Sequence, residues 1–251
     1  MTKAKSGSTN VQVTHDLNLA LRTLQDHPAL ARALTDPSAP VQARAKLIDG
    51  AFTGISVDAR AILKQALDKT WDSTKGFLAW VESTAVKTAW EWAQQTGVLE
   101  RSIDEVFSFG QMMYHNHEVR AAVTDRRVSV EKRQNLVKTL LSKTMAEPSV
   151  EIAVAAVASK RGTIDDAVSA FTEIGADLAG GRLAVVTIAK PLDSKQKTKL
   201  VAALESKLGT KIIVQEVVDP AVLGGVRVEC GAEVIDSTMT SRLEVARRNF
   251  A

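Results

Sequence analysis

Several side chains of this 251-residue sequence are of types that do chemistry, but their spacing assembles no catalytic or metal site. His115 and His117 lie two positions apart at a predicted helix end, so they point in different directions and have no further ligand nearby in the sequence. The acidic pairs Asp104-Glu105 and Asp165-Asp166 would each need a partner across a cleft for acid–base catalysis. We therefore interpret all of these side chains as exposed helix residues.

The single cysteine and the tryptophans are also of reactive or ligand-binding types, and packing explains them better. Cys230 is the one cysteine of the chain, which excludes an internal disulfide and a cysteine-cluster metal site. It shares an apolar strand face with Val226 and Val228, which predicts a packed thiol. A cluster of tryptophans could stack a ligand, but we expect it to fill gaps between helices; its members are Trp71, Trp80, Trp90 and Trp92.

Two glycine-rich segments resemble phosphate-binding loops and fail the requirements of one. Residues 175–182, GADLAGGR, have Gly181 where the lysine belongs, and they lead from a predicted helix into a strand, the reverse of the required order. Residues 223–226, LGGV, lack the third glycine and the following helix of a dinucleotide fingerprint. We interpret the first segment as a helix end and linker. The sequence predicts no cofactor.

Composition and charge restrict the function classes. The hydrophobic fraction of 45% and the charged fraction of 24% are typical of globular domains, and no apolar run is long enough to span a membrane. The net charge of +3 lies in residues 1–79, where 10 basic and 7 acidic side chains are spread out, while residues 80–251 carry 22 of each. We therefore expect no nucleic-acid partner. The polar N-terminal segment is no secretory signal, so we expect a cytoplasmic protein.

The spacing of apolar residues changes near Gly180-Gly181 and indicates two kinds of structure. Before this point the apolar residues recur at helical spacing, which predicts a nearly all-helical region over residues 14–178. Breaks are expected near Pro28, residues 37–40, Gly54, residues 125–129, Pro148 and Gly162. The fold class is therefore α+β: an N-terminal all-α helical bundle followed by a small α+β C-terminal domain.

The C-terminal region predicts the order strand, helix, strand, strand, strand, helix. The expected strands are residues 183–188, 211–218, 226–230 and 233–236. Asp193 or Ser194 is placed to cap a helix that Gly209 closes, with Leu200, Val201, Leu204 and Leu208 on its inner face. Arg227 and Glu229 are predicted on the exposed side of the third strand, Val234 and Ile235 in the core, and a basic helix over residues 241–250.

The helical region contains a partial internal duplication. Residues 26–52 align without a gap with residues 115–141, and the shared segment Ala-x-Thr-Asp falls at Ala33–Asp36 and Ala122–Asp125. Helical patterns lie on both sides of each segment. We expect the Thr-Asp pairs to end one helix and help to start the next, because both side chains offer oxygens to free N–H groups.

The C-terminal stretch VVDPAVLGGVRVECGAEVIDSTMTSRLEVARRNF, residues 217–250, resembles the signature of the F-type ATP synthase delta subunit, whose mitochondrial counterpart is the oligomycin-sensitivity-conferring protein. Ser237 replaces the glycine that usually follows the signature aspartate. We single out nine positions as structural or partner-binding, namely Asp219, Gly224, Gly225, Arg227, Gly231, Val234, Ile235, Asp236 and Arg242. The sequence leaves open whether Arg242, Arg247 and Arg248 face an acidic partner or solvent.

The resemblance extends back to VKTAWEWAQQTGVLERSIDEVFSFGQMM, which looks like the opening helix pair of the family. It implies three parts: residues 1–79 as a helical extension that partly repeats the bundle, as in long actinobacterial delta subunits, residues 80–180 as the helical bundle domain, and residues 181–251 as the domain with the signature.

The resemblance also implies a function. Members of the family are non-catalytic stator subunits of the peripheral stalk, with the helical domain on N-terminal segments of the alpha subunits and the C-terminal domain on the b subunit. It implies a membrane contact only through the complex, at the inner face of the bacterial cell membrane. Two alternatives stay open at this point, a free-standing helical adaptor and, disfavoured by the failed phosphate loop, a nucleotide-dependent enzyme.

Overall fold

Helices fill the chain up to residue 178. The computed structural model describes residues 3–220, 222, 224–231 and 233–236, with the backbone alone for residues 3–9. In this part of the chain the α-helices before the first strand are α1 (Lys3–Asp26), α2 (Pro28–Thr35), α3 (Val41–Ala51), α4 (Val57–Gln65), α5 (Thr74–Gln95), α6 (Leu99–His115), α7 (His117–Thr124), α8 (Val130–Leu141), α9 (Glu147–Ala158) and α10 (Ile164–Leu178). None of the described helices is both long and apolar enough to cross a membrane.

The helix ends follow local capping signals. Each predicted break lies at a helix end or within an observed connection, and the structure adds breaks before α5, after α5 and at Asn116. The Oγ of Ser73 accepts a hydrogen bond from the Gly76 N–H, and the Asn116 side chain accepts one from the Val119 N–H. Gly97, between α5 and α6, has a φ of 74°, a left-handed conformation that glycine adopts without steric cost. The added breaks therefore have ordinary N-caps or a glycine that periodicity alone does not reveal.

The duplication extends over all five helices of each half. A shift of 89 residues carries the bounds of α2 onto those of α7, the start of α3 onto that of α8, and the end of α1 onto that of α6. One extra residue before α9 changes the shift to 90, which carries the starts of α4 and α5 onto those of α9 and α10. We call α1–α5 the first copy and α6–α10 the second copy.

Equivalent polar contacts recur in both copies. The Asp16 carboxylate on α1 accepts the backbone N–H of Ser56, the N-cap of α4, at 2.8 Å. At the matching place the Glu105 carboxylate on α6 accepts the N–H of Ala146, the N-cap of α9, also at 2.8 Å. Each contact satisfies a donor that a helix start leaves free.

A second repeated contact lies between the second and third helices. The Arg44 guanidinium donates to the Leu34 carbonyl at 3.3 Å, and that of Arg133 to the Val123 carbonyl at 3.1 Å. These carbonyls belong to the ends of α2 and α7, where the helix leaves acceptors without intrahelical partners. The two arginines, identical in the sequence alignment, therefore have the same structural task.

The Thr-Asp pairs between these helices act in part as predicted. Asp36 accepts the N–H of Ser38, and Asp125 accepts that of Arg127, both at 2.9 Å. The threonines differ from the expectation, because their hydroxyls donate back to helix carbonyls: Thr35 to Ala31 and Thr124 to Arg120. The hydrogen bonds from Arg127 lower the pKa of Asp125 to about 2, and those from Ser38 likewise lower the pKa of Asp36.

The first copy has a continuous apolar core. It runs from Val13 on α1 to Ala85 on α5 and includes the fully buried Leu17, Leu24 and Phe77. The predicted division at residue 79/80 falls inside α5, on which Phe77, Val81 and Ala85 all belong to this core. Removal of residues 1–79 would therefore cut a helix and expose apolar side chains.

Within the described residues, the C-terminal region forms a four-stranded sheet with a helix. Its elements are β1 (Gly181–Ile188), α11 (Ser194–Leu208), β2 (Lys211–Val218), β3 (Val226–Cys230) and β4 (Glu233–Asp236). The strand order is β2-β1-β3-β4, with β1 parallel to β2 and antiparallel to β3. Asp193 forms a capping box with Gln196, and Gly209 closes α11 with a φ of 68°. The predicted helix over residues 241–250 lies outside the described residues.

One face of the sheet packs against α11. Its core contains Val186, Val228 and Cys230 with Leu204 of α11, and the predicted inner-face residues Leu200, Val201 and Leu208 pack against it. By contact, the chain divides into two compact units, Met1–Ile174 and Gly175–Ala251. The first unit is helical and holds the duplication, and the second contains the sheet.

Candidate functional site

The histidines lie where the sequence predicts. His115 ends α6, His117 begins α7, and both side chains are exposed. The ring of His115 contacts that of Tyr114 edge-on, with 5.2 Å between centroids. Within the described residues no three side chains of histidine, cysteine, aspartate or glutamate are grouped so that they could hold a metal ion.

The acidic pairs have structural partners, and the prediction that all four residues are ordinary exposed ones was wrong for Glu105. Its side chain is only 14% exposed, because its carboxylate accepts from Ala146 N–H and from the Ser149 hydroxyl at the start of α9. Asp165 pairs with Arg120, and Asp166 accepts the N–H of Thr163 at 2.7 Å. A contact 41 residues away in the chain gives no local signal, which is why the sequence did not reveal it.

The tryptophans fill gaps between helices, as predicted. The Trp90 indole N–H donates to the Phe171 carbonyl at 2.8 Å, and both Trp90 and Trp92 are buried. Trp71 donates to the Ala66 carbonyl at 2.9 Å and packs beside Phe77 and Trp80. Each of these indoles lies within a packed cluster or bonds to the backbone. Trp90 and Trp92 therefore present no exposed ring on which a ligand could stack.

Cys230 and the glycine-rich segment 175–182 also match their structural interpretations. Cys230 is 1% exposed within the core of the sheet unit. The segment runs from the end of α10 through Gly180, whose φ is 73°, into β1. It is a helix end followed by a strand, so the order that a phosphate loop requires is absent here.

Several signature residues of the second unit lie in the turns between its strands. The N–H of Asp219, just after β2, donates to the Ile188 carbonyl at the end of β1, at 2.8 Å. Gly224 and Gly225 have φ angles of 70° and 87°, which places both in the left-handed region that favours glycine. Gly231, with a φ of 58°, turns the chain from β3 to β4. The left-handed angles of Gly224 and Gly225 support the tight backbone path predicted for this pair.

Other signature residues share the face of the sheet opposite α11. Arg227 pairs in register with Asp236, and Glu229 with Val234, while the Arg227 and Glu229 side chains form an ion pair at 2.6 Å. The core prediction is supported for Ile235, which packs against the core, and is wrong for Val234, which is 57% exposed. Strand alternation places only one of two neighbouring residues inward, and β4 turns Ile235 inward. Arg242 lies outside the described residues, as do Arg247 and Arg248.

A groove of about 730 Å³ lies in the second copy, beside α7, the start of α8, the end of α9 and the connection to α10. Basic side chains line it: Arg120, Arg126, Arg133 and Lys160. Val123 and Val157 are buried side chains along its apolar part. The sequence did not reveal this groove. The one local signal is that Arg126 and Lys160 are basic residues at or near two predicted helix breaks.

The corresponding region of the first copy, which is the end of α4 and the connection to α5, has different side chains. We call this region the corner of each copy. There a 3-10 turn (Ala66–Asp68) follows α4, and Trp71 packs over it with Leu67 buried beneath. Under the shift of 90 residues, Trp71 of the first copy corresponds to Arg161 of the second copy. The first copy therefore has an indole within its own core at the position where the second copy has a guanidinium.

Arg161 joins the two copies. Its guanidinium pairs with the buried Glu82 carboxylate of α5 at 2.5 Å and also donates to the Ala79 carbonyl at 3.0 Å. Its guanidinium carbon lies 5.9 Å from the centroid of the Phe171 ring. Because Glu82 belongs to the first copy and Arg161 precedes α10, this ion pair connects the two copies within the helical unit.

A second polar junction joins α1 to the second copy. The His15 imidazole lies 3.5 Å from the Glu151 carboxylate of α9, which also accepts from Lys138 of α8 at 3.0 Å. The hydrogen bond to Glu151 raises the pKa of His15 above its ordinary value, although burial opposes it. Burial tends to raise the pKa of Glu151, but the hydrogen bonds from His15 and Lys138 outweigh it, so that pKa is lowered.

Comparisons with known proteins bear on both units. A family model described as "ATP synthase delta (OSCP) subunit" matches residues 85–250. Proteins named "ATP synthase subunit delta" are 31% identical over 243 residues in Cutibacterium acnes, covering 96% of this chain and 92% of that protein, and 33% identical over 237 residues in a Nocardioides species, covering 94% and 86%.

Solved structures give a weaker likeness. A chain from the "Cryo-EM structure of Toxoplasma gondii mitochondrial ATP synthase hexamer" aligns with 67% of this chain and 96% of its own length. The sequence identity is 19% and the TM-score is 0.42.

Proposed function

Because the chain belongs to the ATP synthase delta (OSCP) subunit family, we propose that it is a non-catalytic stator subunit in the peripheral stalk of a proton-translocating F-type ATP synthase. In this role it links the catalytic head to the b-subunit stalk, so that the head does not turn with the rotor and torque drives ATP synthesis. It is placed at the inner face of the bacterial cell membrane and reaches the membrane only through the complex.

The observation that carries this proposal is the division of one chain into two compact units with separate cores. A linker between two bodies needs two attachment surfaces, and each is most stable on an element that folds around its own core. Two linked attachments also raise the effective concentration of the second one, so that each contact alone can be weak. The matched family region, residues 85–250, runs through both units.

The helical unit is assigned to the head. Helix bundles offer grooves in which a partner helix can lie, and N-terminal segments of the alpha subunits are the proposed occupants. Val130 and Leu136 on α8, in the second copy, are exposed apolar side chains. Such exposed apolar residues on a helix face are suited to a protein contact.

The sheet unit is assigned to the b subunit. The face opposite α11 presents the Arg227–Glu229 ion pair beside the exposed Val234. A charged rim around an apolar side chain is the usual composition of a non-obligate protein interface. We propose that this face, together with the signature residue Arg242, contributes to stalk binding.

Two binding measurements on the full-length chain test the proposal, one with a catalytic head depleted of this subunit and one with the soluble part of the b subunit. We expect both partners to bind. The double variant Arg227→Glu/Val234→Asp should weaken b binding about 10-fold and change head binding less than about 2-fold, since interface charges and apolar anchors dominate affinity.

A matched control is Lys199→Glu/Ala203→Asp on exposed positions of α11, which makes the same charge change in the same unit. It should leave both affinities unchanged. If the full-length chain bound neither partner, the stator role would be wrong and the free-standing adaptor would be favoured. Equal losses of head and b binding in the Arg227→Glu/Val234→Asp variant would contradict the division of tasks.

A further inference from the structure

The groove in the second copy has more positive charge than its fold uses. Arg120 is paired with Asp165, and Arg133 donates to the Val123 and Val128 carbonyls at 3.1 and 3.2 Å. Arg126 and Lys160 also line the groove, both exposed and without a carboxylate partner among the described residues. No aspartate or glutamate is among the residues that line it. Two cations are therefore available to a ligand.

The same groove has apolar side chains beside these cations, of which Val130 is exposed. Val123, Ala156 and Val157 are buried side chains along it, and Val130 at the start of α8 is 37% exposed. An occupant that matches both features carries carboxylates together with an apolar side chain. A small anion would leave the exposed Val130 side chain in contact with water and so match only half of the site.

The first copy shows which of these cations the fold itself needs. Arg133 has an identical counterpart, Arg44, which makes the same contact to a helix-end carbonyl. The other three cations have uncharged counterparts: Ala31 for Arg120, Pro37 for Arg126 and Thr70 for Lys160. Arg120 is held by Asp165 within the fold. Since the first copy folds around the same helices without counterparts of Arg126 and Lys160, these two charges serve something other than the helix arrangement.

We propose that this groove docks an acidic, amphipathic protein segment of the catalytic head, with its carboxylates at Arg126 and Lys160 and an apolar side chain at Val130. The inference rests on the proposed function and adds the chemistry of one contact to it. The first copy, whose corresponding corner is filled by Trp71, does not bind this segment. The charged groove in the second copy is the proposed site for this segment.

Salt and charge dependence of head binding test the inference. With the full-length chain, Arg126→Gln/Lys160→Gln should weaken head binding about 10-fold at low ionic strength, and raising the salt concentration should weaken it less than it weakens wild-type binding, because exposed charges are screened. The control Lys46→Gln/Lys75→Gln removes two exposed cations from the first copy and should change the affinity less than about 2-fold.

A second pair of variants tests the apolar contact. Val130→Ser should weaken head binding about 5-fold, while Val41→Ser, at the matching exposed position of the first copy, should change it less than about 2-fold. Circular dichroism and thermal unfolding of each variant establish that it folds. These variants do not alter the Arg161–Glu82 pair that joins the copies.

The outcomes separate the two claims. If Arg126→Gln/Lys160→Gln bound the head as the control does, with unchanged salt dependence, the docking inference would be overturned and the stator role would stand. If the wild-type chain failed to bind the head, the stator role itself would fail. If inorganic phosphate competed with the head for the wild-type chain and Val130→Ser bound the head normally, the groove would be a small-anion site and the peptide inference would be wrong.

Discussion

The two copies of the five-helix module have the same internal contacts and different surfaces at one corner. In both, an acidic side chain of the first helix accepts the N-cap N–H of the fourth, Asp16 in one and Glu105 in the other. At the corner, the first copy packs Trp71 over its own core, whereas the second has Arg161 reaching across to α5. The contacts that define the module are thus shared, and the residues that differ join the copies or face outward.

This difference indicates that the two copies have different roles within the helical unit. The first copy uses α5 to complete its core, and the same helix supplies Glu82 and Trp90 to the second copy. The second copy keeps an open, basic groove at the corner that the first copy fills. The predictions below test this contrast from its strongest contact to its weakest.

Loss of the Arg161 guanidinium should have the largest effect on stability. Arg161→Ala leaves the Glu82 carboxylate, whose side chain is only 5% exposed, without its ion-pair partner, and we expect a loss of about 3 kcal/mol in the free energy of unfolding. Chemical denaturation monitored by circular dichroism measures it. The control Arg127→Ala removes an exposed arginine that pairs with Asp125 and should lower the free energy of unfolding far less. Equal losses in both variants would show that the pair does not join the copies.

The repeated helix-start contacts should have equal, intermediate effects. Asp16→Ala and Glu105→Ala should each lower the free energy of unfolding by about 1–2 kcal/mol, because each leaves an N-cap N–H unsatisfied. The two changes share no partner, so the double variant should be additive within about 0.5 kcal/mol. Asp72→Ala, at an exposed position, serves as the control. A large effect in one copy alone would contradict the equivalence of the copies.

The Asp16 contact should also depend on pH. Burial tends to raise the pKa of Asp16, but the hydrogen bonds from Ser56 and Gln12 outweigh it and hold the pKa below its ordinary value. Its stabilisation is therefore present above the ordinary aspartate pKa and is lost as the pH falls through the folded-state value. The difference in unfolding free energy between wild type and Asp16→Ala should shrink accordingly at acid pH.

The junction between α1 and α9 should contribute a smaller, opposite pH dependence. Because Glu151 raises the pKa of His15, stabilisation by protonated His15 is fully present below its unfolded-state pKa and is lost as the pH rises through the folded-state value. Nearly half of the His15 side chain is exposed, so we expect only about 0.5 kcal/mol. Asp16 and Lys138 also act on His15 and oppose each other. Unfolding of wild type and His15→Gln at pH 5.5 and 8.5 measures the contribution; a larger difference at pH 8.5 would have the wrong sign.

The smallest stability effects are expected at the exposed leucines that the copies share. Leu47→Gln and Leu136→Gln, at 43% and 38% exposure, should each change the free energy of unfolding by less than about 0.5 kcal/mol. Any difference between them should instead be found in head binding, where Leu136→Gln should have the larger effect because it lies on the copy with the open groove. A larger effect of Leu47→Gln on head binding would reverse the assignment of the copies.

The sequence predicted elements and their order better than the contacts between them. Helical periodicity and strand alternation anticipated the four strands and α11, whose cap was left open between Asp193 and Ser194 and is Asp193. Alignment of the sequence with itself anticipated the duplication around Ala33–Asp36 and Ala122–Asp125. These features depend on residues a few positions apart, so the signal is local.

What the sequence did not reveal depends on distant partners. Trp71 and Arg161 occupy matching positions, but their side chains share no chemistry, so an alignment cannot recognise them. The burial of Glu105 depends on Ala146, and the exposure of Val234 depends on which face of β4 meets the core. Position along the chain determines none of these. The alignment of identical residues therefore found only the central part of the repeat.

Hydrogen exchange of the full-length chain with and without the catalytic head tests the contrast between the copies most directly. We predict that the head slows amide exchange around the groove, over residues 120–133 and 156–164, and leaves the matching residues 31–44 and 66–74 of the first copy unchanged. Equal protection of both copies, or protection of residues 31–44 and 66–74 alone, would contradict the account.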